Sequence, residues 1–401
     1  MNAKHRSPPH LYAVPRQAAA PRPTPLNLII NGRFLTRRTT GVERVARGIV
    51  DALDQRVDGN GLLHWNGMPL RVRIHAPKGE ILSSPARIPV IQYQMLSGSL
   101  WEQLELPLLG RDGVILNLCN TAPLLARRQA TYVHDAGVYA VSQSYDWRFR
   151  SWYKLLHRTY RLRNDVLLTN SVFSARELQK HAGFDRTDLH VAAPGADHVH
   201  DMIRTTPASC IPQRALERGY FIVVGSRAWH KNIDAAIEAH RRYIASHPGG
   251  PMLVVIGGER RDIFGAAPSA NVEDGEDIVR LGYLDDAQVI AGISGAKALI
   301  FPSRYEGFGL PLAEAMALGC PVISSDLPTA REIGVDACWI FPTSDVQALC
   351  ALLSHVVEDK AGVAEKVKIG IERARNLTWQ RCADVVLETI VHEASRHPTT
   401  P

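Results

Sequence analysis

FPSRYEGFGLPLAEAMALGCPV, Phe301 to Val322, is the stretch on which the reading of this chain turns. The run ALIF, Ala298 to Phe301, is short and apolar and predicts a buried strand, ended by Pro302 and Ser303. Gly307 and Gly309 carry no Cβ, so the backbone there can bend tightly and come close to a ligand. Pro311 suits the first helical position, where a missing N–H costs nothing. Leu312 to Leu318 is helix-forming sequence stopped by Gly319, and Cys320 to Ser324 predicts the next strand. The unit is strand, glycine loop, helix, strand. The N–H groups of Phe308, Gly309 and Leu310 are then unpaired at a helix N-terminus and form an anion site. Glu306 sits on the loop and Glu314 about one turn into the helix, bordering the same ligand. Glutamates at that spacing are common on surface helices; the glycines and proline between them make this pair specific.

Further units of the same kind flank this one. Tyr220 to Val224 (YFIVV) predicts a strand, and Gly225, Ser226, Arg227 and Lys231-Asn232 lead into a helix from about Ile233. A glycine turn with cations before a helix is a phosphate site. Leu253 to Gly257 and Val279 to Leu284 predict two more strand ends. Towards the N-terminus, Leu26 to Ile30 opens a strand, loop and helix. Thr40-Gly41 precedes that helix, and Val42, Val45, Ala46, Ile49 and Leu53 share one of its faces. Arg33, Arg37 and Arg38 on the loop either meet anions or are solvated. Strands are expected at Val72–His75, Val114–Leu118, Ala130–Val133 and Val166–Thr169. The third ends in His134-Asp135, where a histidine is either placed for chemistry or held structurally; Asp135 either orients it or caps the next turn. Ser171 or Ser174 caps a helix after the fourth.

At 401 residues and 45% apolar, the chain has room for two domains with full cores. Its net charge of +6 suits an anionic ligand or membrane surface, while no nucleic-acid-binding motif is present. The six scattered cysteines form no C-x-x-C and predict buried free thiols in a reducing cytoplasm. No apolar run has the length of a membrane span. Residues 1–25 read as a disordered basic leader, 26–204 as the first domain and 205–218 as a polar linker. Residues 219–376 read as the second domain and 377–401 as a terminal helix and tail. Trp147 to Arg163 (WRFRSWYKLLHRTYRLR) carries six basic residues and no acid. Its aromatic face, with Phe149, Trp152, Tyr153, Leu156 and Tyr160, packs into the domain or meets an anionic membrane.

The 301–322 segment resembles the signature of retaining family-4 glycosyltransferases, which have the α/β GT-B fold: two Rossmann-like, doubly wound domains facing across a cleft. The resemblance extends over roughly 27–392 and is strongest from 220 to 345. It implies that Glu306 lies against the transferred sugar and that Glu314 holds the nucleotide ribose. It also implies that His134 stands near the reacting carbon, and that Lys231, Arg227, Gly41, Phe308, Gly309 and Leu310 meet the donor diphosphate. Leu281, Gly282 and Tyr283 would border the nucleobase, and the terminal helix would cross back to the first domain. Arg331-Glu332 matches another family feature, structural or ligand-binding. The arginine position is shifted here, since Ser226 follows the glycine and the arginine is Arg227. The implied reaction moves a hexose from a nucleoside diphosphate sugar to a saccharide or lipid-linked saccharide, without a metal or other cofactor. The N-terminal pattern RFLTRRTTGVERVARGI resembles bacterial polysaccharide transferases and favours a mannosyl donor such as GDP-mannose. A cytoplasmic enzyme, peripheral on the inner membrane face, is the expectation. A GT-B sugar-nucleotide epimerase and a non-enzymatic GT-B scaffold are the rivals. A nicotinamide dehydrogenase is disfavoured, because no G-x-G-x-x-G follows a predicted strand.

Overall fold

The computed structural model describes residues 24–163, 166–185, 189–205, 210–258 and 276–396. Most of the expected leader, residues 206–209 of the expected linker and the tail from 397 lie outside these residues.

The first domain holds β1 (Leu26–Asn31), β2 (Leu62–Trp65), β3 (Met68–Ala76), β4 (Val90–Gln92), β5 (Gly113–Asn117), β6 (Gln129–Tyr132), β7 (Val166–Thr169) and β8 (Leu189–Val191). Their order is β2-β3-β1-β5-β6-β7-β8, with β4 beside β3. Pairing is parallel except for the antiparallel edge pair β2–β3. The second domain holds β9 (Tyr220–Val224), β10 (Met252–Ile256), β11 (Ile278–Gly282), β12 (Ala298–Phe301), β13 (Val322–Ser325) and β14 (Cys338–Phe341). Its order is β11-β10-β9-β12-β13-β14, all parallel. Counted within the domain this is 3-2-1-4-5-6, the doubly wound order. β10 and β12 are buried along their whole length, because helices cover both faces of the sheet. That is why these strands read as unbroken apolar runs and not as alternations.

The strand order reverses between β1 and β5 in one sheet and between β9 and β12 in the other. Chain leaving adjacent strands at such a point departs to opposite faces and opens a crevice. Both crevices face the domain boundary. The helix Trp379–Arg396 then packs on the first domain. Its Trp379 ring lies against Gly48, where a Cβ would come within 2.4 Å of the indole. Arg56 of the first domain also donates to Gln380 Oε1 at 2.6 Å.

Local expectations shift in several places. The signature helix runs Leu310–Ala317, so Pro311 is its second residue and not its first. The strand expected from Cys320 starts at Val322. Part of the expected linker is the helix Gln213–Arg218, with Ile211 and Ala215 buried in the core. Leu156, His157 and Tyr160 of the helix Trp147–Arg163 face inward, while Trp147, Leu155 and Leu162 are exposed. All six cysteines are free; four are buried, and Cys119 and Cys210 are partly buried.

Candidate active site

The second-domain crevice is lined by the segments leaving β9 and β12. Lys231 closes a short 3-10 turn after β9, and Asn232, at φ +52°, starts the helix Ile233–Ser246. Glu306 lies on the loop after β12. Lys231 Nζ donates to Glu306 Oε1 at 2.7 Å, and Ser303 Oγ donates to the same oxygen at 2.6 Å. Burial pushes this carboxyl up, but the Lys231 ammonium, His230 and the Lys231 and Ser303 hydrogen bonds together hold Glu306 below its ordinary value. Gly309 adopts φ +96°, which only glycine enters without strain, and turns the chain into the helix at Leu310. The N–H of Leu310 therefore has no intrahelical carbonyl to meet. Phe308 is buried before that turn, and Arg227 is exposed on the β9 loop.

Three glycines form the floor beside this pair. A Cβ on Gly257 would lie 1.8 Å from the Gly225 carbonyl oxygen, and Gly257 donates its N–H to Gly282 at 2.7 Å. The ends of β9, β10 and β11 are thus in backbone contact, with Leu281 half-buried at the end of β11. Tyr283 is exposed beyond them and donates to the Thr39 carbonyl of the first domain at 3.1 Å. The close approach at Gly257 is absent from the sequence reading, because LVVIG announces a strand and nothing about what its end touches.

Glu314 is fully buried one turn into the signature helix. Arg44, from the first-domain helix Gly41–Asp54, donates to Glu314 Oε1 at 2.6 Å and bonds Asp286 with its other terminal nitrogen. His198 Nε2 lies 3.3 Å from the same Glu314 oxygen. Its Nδ1 accepts from Trp379 Nε1 at 3.0 Å, which puts the ring proton on Nε2, close to the carboxylate without a well-aligned hydrogen bond to it. Burial alone would raise Glu314, but Arg44 and then His198 hold it down at about 2. Among the described residues Glu314 Oε2 has no hydrogen-bond partner. Sequence reasoning picked Arg33, Arg37 and Arg38 and missed Arg44, Asp286 and His198. The available signal was that Arg44 lies three residues after Gly41, one turn into a helix whose start faces the cleft.

On the first-domain face His134 is held by the backbone and by Asn120. Its Nε2 donates to the Leu118 carbonyl at 2.9 Å and its N–H to Asn120 Oδ1 at 2.7 Å. Burial pushes its imidazole down to about 4, so the ring is neutral at pH 7. Asp135 is the residue that approaches the Lys231–Glu306 pair. A Cβ on Gly307 would lie 2.7 Å from the Asp135 Cβ, so the glycine makes room for the other domain as well as for a ligand. Asp135 Oδ1 also accepts the Gly137 N–H at 2.6 Å, capping the next turn. Burial first, with Glu306 adding to it, raises its carboxyl above the ordinary range. Ser171 and Ser174 donate to the Gly307 carbonyl at 2.5 and 3.0 Å. Glu332 accepts from the Val172 and Phe173 N–H groups at 2.8 and 2.9 Å, which gives it a structural place across the boundary. Arg331 pairs with Asp326. Gly41 is exposed, and a Cβ there would meet nothing within 4 Å. Glu102 binds Arg33 at 2.8 Å and Asn31 at 2.9 Å, a buried polar knot at the β1–β5 crevice. Among the described residues no group of His, Cys, Asp and Glu is placed to hold a metal ion.

Residues 211–377 match the family described as Glycosyl transferases group 1. That match spans the second domain. This domain carries Lys231, Glu306, Glu314 and the three-glycine floor. The chain is similar to O-antigen chain mannosyltransferase B of Escherichia coli, 26% identical over 269 residues, covering 65% of this chain and 69% of that protein. It is 26% identical over 227 residues to O-antigen chain mannosyltransferase RfbU of Salmonella typhimurium, 56% of this chain and 59% of that one. Among solved structures it resembles WaaG, a glycosyltransferase involved in lipopolysaccharide biosynthesis. The TM-score is 0.64 at 16% identity, over 91% of this chain and 99% of WaaG. Anabaena HepE in complex with UDP superposes with a TM-score of 0.63 at 14% identity, over 92% of this chain and all of HepE. These likenesses and the two doubly wound sheets establish the GT-B fold.

Proposed function

We propose that this protein transfers a hexosyl group, with mannose from GDP-mannose the best-supported donor, to a saccharide hydroxyl with retention of anomeric configuration. The observation that carries this reading is the Lys231–Glu306 pair, seated at the β9–β12 switch point beside Gly309 and opposite Asp135. Similarity to the two O-antigen mannosyltransferases supports the choice of sugar.

In this reading the diphosphate lies at the start of the helix Leu310–Ala317, with Lys231 beside it. As the bond from the anomeric carbon to the diphosphate oxygen breaks, the leaving oxygen gathers negative charge. The ammonium and the oriented N–H groups stabilise that charge without reorganising. The bond to the acceptor oxygen forms on the same face, and the acceptor proton passes to the departing phosphate oxygen. Glu306 is already bonded to Lys231 and Ser303, an arrangement suited to positioning the sugar hydroxyls. The orphan Oε2 of Glu314 suits a ribose hydroxyl donor. His134, neutral and turned to Leu118, suits a neutral hydrogen-bonding role.

Product analysis with GDP-mannose and an oligosaccharide acceptor tests the proposal. Transfer with retained configuration, lost in Glu306→Gln, is the expected result. Interconversion of the nucleotide sugar without acceptor would favour the epimerase reading. Calorimetry that finds no nucleotide sugar bound would favour a scaffold without activity.

A further inference from the structure

The reading of the cleft leaves an outer surface of the first domain unexplained. Helical turns Gly98–Leu100, Trp101–Glu105 and Leu106–Leu109 follow one another without a break. Trp101 and Leu106 are buried on one side, while Leu100, Leu104 and Leu108 are exposed on the other, four residues apart. That spacing puts all three on one face. Leu104, 56% exposed, stands next to Gln103, whose amide donates to the Ala122 carbonyl and accepts from the Leu124 N–H, each at 3.0 Å. Loop 121–128 is thereby fastened to this face. Its other side is fastened to the helix Trp147–Arg163, whose last residue, Arg163, donates to the Leu124 and Ala126 carbonyls. Leu125, 77% exposed, lies between the two fastenings, and Leu162, 68% exposed, is adjacent to Arg163. Leu155 and Trp147 continue the exposed apolar residues along that helix.

Single exposed leucines need no explanation, but a run of them across three neighbouring segments does. The same outer face of the helix Trp147–Arg163 carries Arg148, Lys154, Arg158 and Arg161, all exposed, and the helix contains no acid. Arg127 is exposed on the loop. We propose that this leucine and cation face, spanning 98–109, 121–128 and 147–163, docks on an anionic lipid bilayer. The leucines and Trp147 enter the headgroup boundary, and the long cationic side chains lie along it with their charges at the lipid phosphates. Charge decides between a bilayer and a second copy of the chain. A two-fold interface would set like against like, whereas an anionic surface attracts every cation. The face also reaches the cleft: Ser99 at its start accepts from Arg33 at the β1–β5 crevice at 2.8 Å. Docking would therefore bring the first-domain crevice to the membrane.

This inference deepens the membrane expectation for 147–163 by adding a second helical segment and a loop, and it does not depend on the transfer reaction. The test is flotation of the full chain with vesicles of phosphatidylglycerol or of phosphatidylcholine, without nucleotide sugar. Flotation with the anionic vesicles, weakened by salt and weak with the neutral ones, is expected. Replacing Lys154 and Arg158 by Gln should lower vesicle affinity by about 30-fold. The pair Leu104→Ser and Leu108→Ser should lower it further while leaving circular dichroism and melting temperature unchanged. No flotation with anionic vesicles overturns the proposal. So does flotation indifferent to these substitutions, or a stable dimer that Leu104→Ser dissociates.

Discussion

The two crevices meet at one cleft and are built in opposite ways. In the second domain, glycines open the backbone at Gly225, Gly257, Gly282 and Gly309, and the charged groups Lys231 and Glu306 meet over it. In the first domain the crevice is filled by side chains: Asn31, Glu102, Arg33 and the buried ring of His134 bond to one another or to carbonyls. In the proposed function, a common ligand part, a nucleoside diphosphate, is met by backbone and a few fixed charges. A variable partner has to be met by side chains, and those carry little pattern in a single sequence. The domains are tied by Arg44 to Glu314, by two serines to the Gly307 carbonyl and by Glu332 to a helix N-terminus.

The largest effect should come from the tie that crosses the cleft. Arg44→Met strands a buried carboxylate and should cost about 3–5 kcal/mol of stability in denaturant unfolding. A loss below about 1 kcal/mol would show that Glu314 does not depend on the first domain. The pH dependence follows with a definite sign. Glu314 is depressed from 4.5 to about 2, so its stabilisation is complete above 4.5 and drains away as pH falls towards 2. In Arg44→Met burial is left to raise the Glu314 carboxyl, so its share of the acid decline in melting temperature should shrink or reverse; an unmoved acid limb would contradict the pairing.

Next comes the second-domain charge pair. Glu306→Gln should lower transfer by about 100- to 1000-fold with the fold intact, as for removal of one preorganised electrostatic group. Near-normal turnover would move the chemistry elsewhere. Gly307→Ala places a methyl against Asp135 and should cost about 1–3 kcal/mol, or spread the domains in solution scattering. An unchanged scattering profile and stability would mean the loop yields easily. The smallest effect is expected from Ser171→Ala, which removes a helix cap and one tie to Gly307, at about 1 kcal/mol. No change in melting temperature would leave Ser174 as the sufficient tie.

Much of the second-domain side was legible. YFIVV and ALIF became β9 and β12 at the expected residues, because strands buried on both faces must be apolar throughout. Glycines before helices marked the loops, and at Gly309, with φ +96°, few other residues would tolerate the turn. The edge strands β2, β4 and β8 passed unread, being short and half-exposed with no strong period. For helix Trp147–Arg163 the apolar residues were recognised, but the exposed Leu155 and Leu162 joined no expected face. Which side of a helix meets solvent depends on neighbours distant in the chain.

By itself the sequence determined the two sheets, the glycine turns and the types of residue at the second-domain crevice. These follow from local backbone geometry and from the length and polarity of each run. Only the tertiary structure decided the partners. Arg44 and Glu314, 270 positions apart, meet because two sheets face each other. Asp135 stands by the charge pair while His134 bonds the Leu118 carbonyl, because neighbouring residues leaving a strand point to opposite sides. Spacing within one segment is fixed by bond geometry. Spacing between domains is fixed by packing across their interface, and nothing local encodes it.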